Sequence, residues 1–446
     1  MDAVPPGPQG LPLIGNIPQY AHDPFSFMTQ CQREYGDISH FRLGPYDMYQ
    51  VTDPAMIEQV LVDRDEDFSK PDFQANAFSQ LLGNGLLASE GEFWRRQRQR
   101  IQPAFDPDHI ATATKLMTEY AEELTSEWDE GQMIDVYAEM GRVTVKIITA
   151  AMMDVRLSDD TVKEIQDRLD PLGRRFEPSA TNYLLPTWIP TKGNREYLTA
   201  ISDIEDILNQ ILEMRSKSDD SEHDDLVSLL QQAQQNEAEV TDKLIRDELV
   251  TMLLAGHDTT ALALTYTWYL LDQYPRVETK LHDELDRVLN GRTPTLHDLQ
   301  DLEYTEQVIK ESMRLYPPVY VIFREALAPI QLDGFQVPTG AQVVLPQWVV
   351  HRDSHHYEDP EVFAPERWSS KKTAKRPTYS YFPFGGGSRS CIGKRFSMVE
   401  AQLLLATVAQ RYRLSSVGSQ SLTLRPSLTM HPEEPIELIL RERSPH

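Results

Sequence analysis

The chain has 446 residues, 69 acidic against 43 basic side chains, and a formal charge of −26. Such a charge repels nucleic acid and anionic lipid, while 40% apolar residues suffice for a large buried core and argue against a disordered chain. Cys31 and Cys391 are the two cysteines, which excludes a disulfide framework and fits a reducing, cytoplasmic setting.

The lead Met1–Pro8 has no basic or apolar run, so no signal peptide is expected. Strands are expected over Ile38–Leu43 and Met48–Val51, turned at Gly44-Pro45. Ser89-Glu90-Gly91-Glu92 reads as a capping box opening a helix that carries Trp94 and Arg98 on one face. Pro171, Pro178, Pro186 and Pro190 break the helical pattern that dominates as far as about residue 317. The longest helix is expected from about Thr241 to Tyr274, capped by Thr241 and stopped by Pro275, and spans about 50 Å at 1.5 Å per residue. Its apolar part, Leu249–Leu271, has Asp258 at the centre, which would cost about 2.5–3.5 kcal/mol in a bilayer. It is therefore read as a core helix, and no membrane anchor is expected. Another helix ends at Asn290-Gly291. Short strands follow at Ile330–Leu332, Phe335–Val337 and Val343–Leu345, and a last helix runs from just after Cys391 to about Tyr412. The expected fold is mainly α with a minor β-sheet region, and with no repeat or linker to divide it, one domain over residues 1–446.

Three stretches break local rules in ways that point to chemistry. Ala255-Gly256-His257-Asp258-Thr259-Thr260 puts poor helix formers in the middle of the best helix, where Gly alone costs about 1 kcal/mol against Ala, and such breaks gather at functional sites. Glu311 and Arg314, three apart before Pro317-Pro318, form an acid–base pair that alone means little. Phe384-Gly385-Gly386-Gly387-Ser388-Arg389-Ser390-Cys391-Ile392-Gly393 is neither a phosphate loop nor a nucleophile elbow nor a dinucleotide loop, because the required Gly and Ser/Thr positions are wrong. Its four glycines let backbone approach a partner closely, and Cys391 sits before a helix N-terminus that stabilises a thiolate. One cysteine cannot hold zinc or an iron–sulfur cluster. It can be the axial ligand of a haem, with Arg389 reaching an anionic edge; a cysteine hydrolase stays open at this point.

Phe384-x-x-Gly387-x-Arg389-x-Cys391-x-Gly393 resembles the haem-binding signature of the cytochrome P-450 family. In the same order come stretches similar to the family's others: Trp94-x-x-x-Arg98, the oxygen-binding stretch around Asp258-Thr259, Glu311-x-x-Arg314, and Pro365-Glu366-Arg367-Trp368. The resemblance implies a cytochrome P-450 fold holding haem b, with Cys391 as the iron ligand and Phe384 in its loop. It implies that Trp94, Arg98, Arg324 and Arg389 hold the propionates. It implies that Ala255 and Gly256 lie over the haem, with Gly256 leaving room for dioxygen. Thr259 would then bond the iron-bound oxygen and Asp258 would relay protons. Glu311, Arg314 and Arg367 would lock the core beneath the cysteine loop.

The implied activity is monooxygenation: one oxygen atom of O2 enters a hydrophobic organic substrate, with two electrons from an outside donor. Nothing in the chain resembles a flavin or iron–sulfur module. The basic clusters Arg95/Arg96/Arg98/Arg100, Lys371/Lys372/Lys375/Arg376 and Lys394/Arg395 are expected to dock an acidic donor such as a ferredoxin. A substrate pocket is expected from the 73–87 stretch (Phe73, Phe78, Leu82, Leu86, Leu87), the 182–190 stretch, Ala255, Val321–Phe323 and the turn near Met430, leaving fatty acid, carotenoid and terpenoid open. A peroxide-driven oxygenase and a haem sensor are rivals, and both leave the Asp258-Thr259 pair without a use. The acidic, lysine-poor surface also suits the salt-rich cytoplasm of a halophile, since at about 1 M salt the Debye length is about 3 Å and self-repulsion is screened.

Overall fold

The computed structural model describes residues 4–71, 78–179, 182, 185, 187–216, 225–418 and 421–443. Phe73, and Tyr183, Leu184 and Pro186 of the 182–190 stretch, lie outside them.

Gly44, at φ +61°, turns Ile38–Leu43 (β1) back into Tyr46–Val51 (β2), so Leu43 faces Tyr46 across an antiparallel hairpin. Phe68–Ser69 (β3), Ile322–Ala326 (β4) and Gln342–Leu345 (β5) complete a sheet of order β1-β2-β5-β4-β3. β2 and β5 run parallel, and the other neighbours are antiparallel. Every residue of β5 is buried, as the centre of a covered sheet requires. The 330–337 hairpin turns at Asp333-Gly334, as expected.

Helices form the rest of the core. Those that place the site are Gly91–Ile101 (α1), Pro107–Ser126 (α2), Val136–Met153 (α3), Asp242–Gln273 (α4), Glu303–Leu315 (α5) and Lys394–Arg411 (α6). Thr241 caps α4 by accepting the Leu244 N–H at 3.2 Å. α4 is apolar nearly all round, so it must be wrapped by protein; it packs on α3, α5 and α6. Among the described residues no helix is long and apolar enough to cross a membrane.

The expected capping box at Ser89 does not form. Ser89 Oγ instead donates to the Leu86 carbonyl, and Glu90 caps nothing with its side chain. Glu90 is drawn away by cations: it accepts the Lys70 backbone N–H at 3.1 Å and pairs with Arg389 and the Lys70 ammonium.

The cysteine loop hangs from a buried ionic clamp. The Glu311 carboxylate, fully buried, accepts both forks of Arg314 at 2.9 Å, Arg367 Nε at 2.7 Å, Trp368 Nε1 at 2.9 Å and the Ala364 N–H at 3.0 Å. The remaining guanidinium donors go to the carbonyls of His351, Glu358, Asp359 and Val362. His351 Nε2 then accepts the Phe382 N–H, and Gln347 donates to the Phe382 carbonyl at 2.6 Å, two residues before Phe384. A buried pair stripped of one partner typically loses about 3–5 kcal/mol, so this clamp fixes the root of the loop.

A second tie holds the 84–97 region against α4. Glu248 accepts the Leu86 N–H at 2.9 Å and Gln97 Nε2 at 2.7 Å, and Asp247 accepts the Asn84 N–H at 2.9 Å. Burial pushes the Glu248 carboxyl up to about 7, against the pull of the two donors. The native state therefore binds a proton that the unfolded chain has released once pH exceeds the ordinary carboxylate value of about 4.3. This contribution to stability is full below that value and is lost as pH rises through about 7. Glu248→Gln should flatten the fall in stability between about pH 5 and 7, read from urea melts across that range; an unchanged slope would refute the assignment.

Candidate functional site

The loop from Phe384 to Gly393 is shaped by close approaches of protein to protein. Gly387, at φ +65°, would place a Cβ 1.8 Å from the Leu61 carbonyl oxygen, and a Cβ at Gly386 would lie 2.5 Å from the Tyr379 ring. These glycines seat the loop on its own chain rather than opening it to a ligand. The Cys391 N–H closes the loop on the Phe384 carbonyl at 2.9 Å. Lys394, the first residue of α6, lies 5.7 Å over the Phe384 ring.

Cys391 is exposed, yet burial pushes its thiol up, opposed by a hydrogen bond from Gly393 and the charges of Arg98 and Lys394. Accessibility in so enclosed a place means that the side chain faces open space inside the fold. Ala255 is exposed in the same way in the middle of α4, and Thr259 is partly so.

Beside the thiol stands a cationic cluster. Arg389 lies 4.4 Å over the Trp94 ring and Arg98 5.9 Å from its centroid. Burial, with Arg389 close by, lowers the Arg324 guanidinium to about 10. Lys70 falls to about 7 for the same reasons, despite Glu90. Arg389 Nη1 is buried without a partner among the described residues. Three cations around one carboxylate, one of them with a donor to spare, fit an anion that is still to come. A flat group with two carboxylates at its edge and an iron for the sulfur satisfies both halves of this arrangement, so haem fits the residues present. Lys70 lies in no recognisable motif, and Glu90 stood out only as part of an expected capping box, so neither was expected at the site.

Three details of α4 concern the expected site residues. Gly256 turns the position a side chain would fill toward α3, where a Cβ would be 2.8 Å from Ile148 Cδ1. Its smallness lets α4 pack closely on α3. Thr259 and Thr260 donate back to the carbonyls of Ala255 and Gly256 at 3.0 and 3.4 Å, as threonine in a helix tends to do. The Asp258 carboxylate is bonded from other elements: Oδ1 accepts Tyr137 Oη at 2.6 Å and Oδ2 accepts Thr429 Oγ at 2.7 Å. Burial would raise this carboxyl, but His431, His257 and the Tyr137 donor together hold it well below the usual range.

Phe78, Leu82 and Leu86 are buried and Leu87 is exposed. Met430 is fully buried, its backbone tied to Pro318 and Tyr266, so it is core rather than lining. Two of the basic clusters are also changed. Arg95 pairs with Glu66 and Glu92, while Arg96 and Arg100 pair with Glu237 and Glu239. Arg376 packs over Trp368 at 4.4 Å and donates to the Arg367 carbonyl. Lys371, Lys372, Lys375, Lys394 and Arg395 stand exposed.

Comparison with known proteins gives one answer. The cytochrome P450 family model matches residues 5–440. Cyclooctatin synthase of Streptomyces melanosporofaciens is 34% identical over 95% of this chain and 92% of its own. Cyclooctat-9-en-7-ol 5-monooxygenase of the same organism is 33% identical over 93% and 90%. The crystal structure of the cytochrome P450DA heme domain superposes with a TM-score of 0.87 at 26% identity, covering 100% of this chain and 99% of that one. The chain therefore belongs to the cytochrome P450 family and is a haem-thiolate monooxygenase.

Proposed function

We propose that Cys391 Sγ is the axial ligand of haem b, that Trp94, Arg98, Arg324 and Arg389, joined by Lys70, hold its propionates, and that Thr259 and Asp258 manage protons on the opposite face. The observation that carries this reading is the unpartnered Arg389 donor in a surplus of positive charge beside an accessible, enclosed thiol. The haem, when bound, activates O2, sending one oxygen atom into substrate and the other to water with two electrons and two protons. Cys391 is presented to it by a loop that its own chain makes rigid. The positive cluster neutralises the carboxylates on burial, which bare haem could not do in an apolar slot. Asp258, kept ionised by its partners, accepts protons and passes them toward the Thr259 hydroxyl, so that delivery can keep pace with oxygen reduction.

The substrate is proposed to be an apolar organic molecule, because the stretches expected to line the pocket supply Phe78, Leu82, Leu86, Val321 and the half-buried Phe323. The relatives' names support a cyclic alkene or alkenol over a straight chain: one is named for cyclooctat-9-en-7-ol, oxygenated at position 5. Electrons are proposed to come from a ferredoxin docked on Lys371, Lys372, Lys375, Lys394 and Arg395, the exposed remainder of the basic clusters.

Three outcomes test this reading. The purified protein should be red, and its reduced form with carbon monoxide should show the strongly red-shifted Soret band of thiolate ligation; a Cys391→Ala variant that keeps this band would overturn the ligand assignment. Thr259→Ala should keep the band but divert electrons to peroxide, so a normal ratio of product to electrons would exclude its role. A salt series separates the two charge arguments. Reversing Lys371, Lys372 and Lys375 to Glu should slow reduction by reduced ferredoxin about tenfold or more at low salt and have little effect near 1 M, while wild-type stability rises with salt; equal reduction rates at low salt would place docking elsewhere.

A further inference from the structure

Three side chains from distant parts of the chain converge on Asp258. Tyr137 comes from the first turn of α3, and Thr429 and His431 flank the buried Met430 where Leu424–Pro426 pairs antiparallel with Met430–Pro432. Thr429 Oγ lies 2.7 Å from Asp258 Oδ2 and 2.8 Å from His431 Nε2, and His431 Nε2 is 3.5 Å from the same carboxylate oxygen. The Tyr137 ring meets the His431 ring edge-on at 5.3 Å.

Hydrogen-bond capacity sets the direction of this chain. An ionised carboxylate only accepts, and a hydroxyl has one hydrogen to give. Thr429 gives its hydrogen to Asp258, so its second contact must be an acceptance from His431, and Nε2 must carry a proton. The bonds therefore all point one way, from His431 through Thr429 to Asp258. Imidazole is the side chain whose ordinary change of charge falls between about pH 5 and 8, whereas the partners of Asp258 hold its carboxyl below the usual range, so that a proton it receives is passed on rather than kept.

Charged groups stand on the outer side of His431. Arg425, opposite His431 in the strand pair, bonds Asp170 at 2.8 Å and approaches Glu177 at 3.7 Å. Side-chain exposure is 43% at Asp170, 32% at Glu177, 27% at Arg425, 14% at His431 and 16% at Asp258. The other titratable groups around this path are His257 and Tyr266 of α4. Both are buried, His257 bonded to the Leu253 carbonyl and Tyr266 to the Met430 carbonyl.

We propose that His431 is the proton donor that recharges Asp258 through Thr429, making the Met430–Pro432 strand a built entry route for the protons of oxygen reduction. His431 is a positioning residue in this scheme, since it acts through Asp258. In each passage the Nε2 proton moves to Thr429 Oγ while the Thr429 proton moves to Asp258 Oδ2. The step requires His431 to enter as imidazolium, protonated on both ring nitrogens; loss of the Nε2 proton leaves neutral imidazole, which takes up another proton from solvent. The proposal rests on the reading above that Asp258 serves proton delivery.

The test uses haem-loaded protein reduced by a surrogate ferredoxin and its reductase, with oxygen uptake, peroxide yield and solvent deuterium isotope effect measured from pH 5 to 8. His431→Gln keeps a donor for Thr429 but cannot release a proton. It should retain the carbon monoxide band, lower oxygen uptake about tenfold, lose the wild-type pH dependence, and raise both the isotope effect and the share of peroxide. Thr429→Val cuts the path at its centre without touching the ring and should reproduce these changes. Wild-type rates, pH profile and isotope effect in either variant overturn the proposal, and if one variant fails to hold haem the other decides. A wild-type protein without the carbon monoxide band would sink the haem reading itself, which is a separate failure.

Discussion

Everything at the site depends on one buried carboxylate. Glu311 takes two guanidinium groups, an indole N–H and a backbone N–H into the core. Two cations on one anion leave a buried positive charge, a costly arrangement in a low-dielectric interior. It stands because four backbone carbonyls share the remaining donors. These carbonyls come from His351 and from 358–362, so the ionic cluster also gathers irregular chain that has no helix or sheet of its own to satisfy it. The segment ending at Phe382 inherits its position from this, and the cysteine loop inherits its position from that segment. An apolar substitute of equal volume could match the packing but would leave those carbonyls without donors.

The loop itself is rigid for a different reason. Backbone crowds backbone at Gly387 and an aromatic ring crowds Gly386, so the chain has little freedom to relax when its thiol meets a metal. A sulfur so placed is dear to ionise while nothing opposes its charge, and burial raises the thiol accordingly. The basic cluster nearby has the opposite problem, with more positive charge than Glu90 can balance. The two imbalances are complementary, and one cofactor carrying both a cation and two carboxylates relieves them together.

Much of this was legible in the sequence, and the parts that were not share a cause. Thr241 as a cap, Gly44 in a turn, Asn290 ending a helix and the order of Glu311, Arg314 and Arg367 follow from local chemistry or from short motifs, and the structure bears them out. The misreadings concern side chains whose behaviour is set by partners far along the chain. Glu90 looked like part of a cap until Arg389, about 300 residues away, claimed it. Arg96 and Arg100 looked like a docking face until Glu237 and Glu239 neutralised them. Nothing in the sequence marked Tyr137, Thr429 and His431 as partners of Asp258, because no local pattern announces that two separate segments will meet at one acid.

The parallel pairing of β2 with β5 has a consequence for how the protein is made. Met48–Gln50 bonds to Gln342–Val344, so the first hairpin waits for about 290 residues of later chain before its inner edge is covered. At about 5–20 residues per second on the ribosome, that edge stays unpaired for about 15–60 seconds of synthesis. Exposed strand edges of this kind invite pairing with other chains. The short, strongly turned hairpin limits the hazard, and the acidic surface of the growing chain adds mutual repulsion between neighbouring nascent copies. The high negative charge of this protein thus protects it first during its birth, before there is any substrate or electron donor to meet.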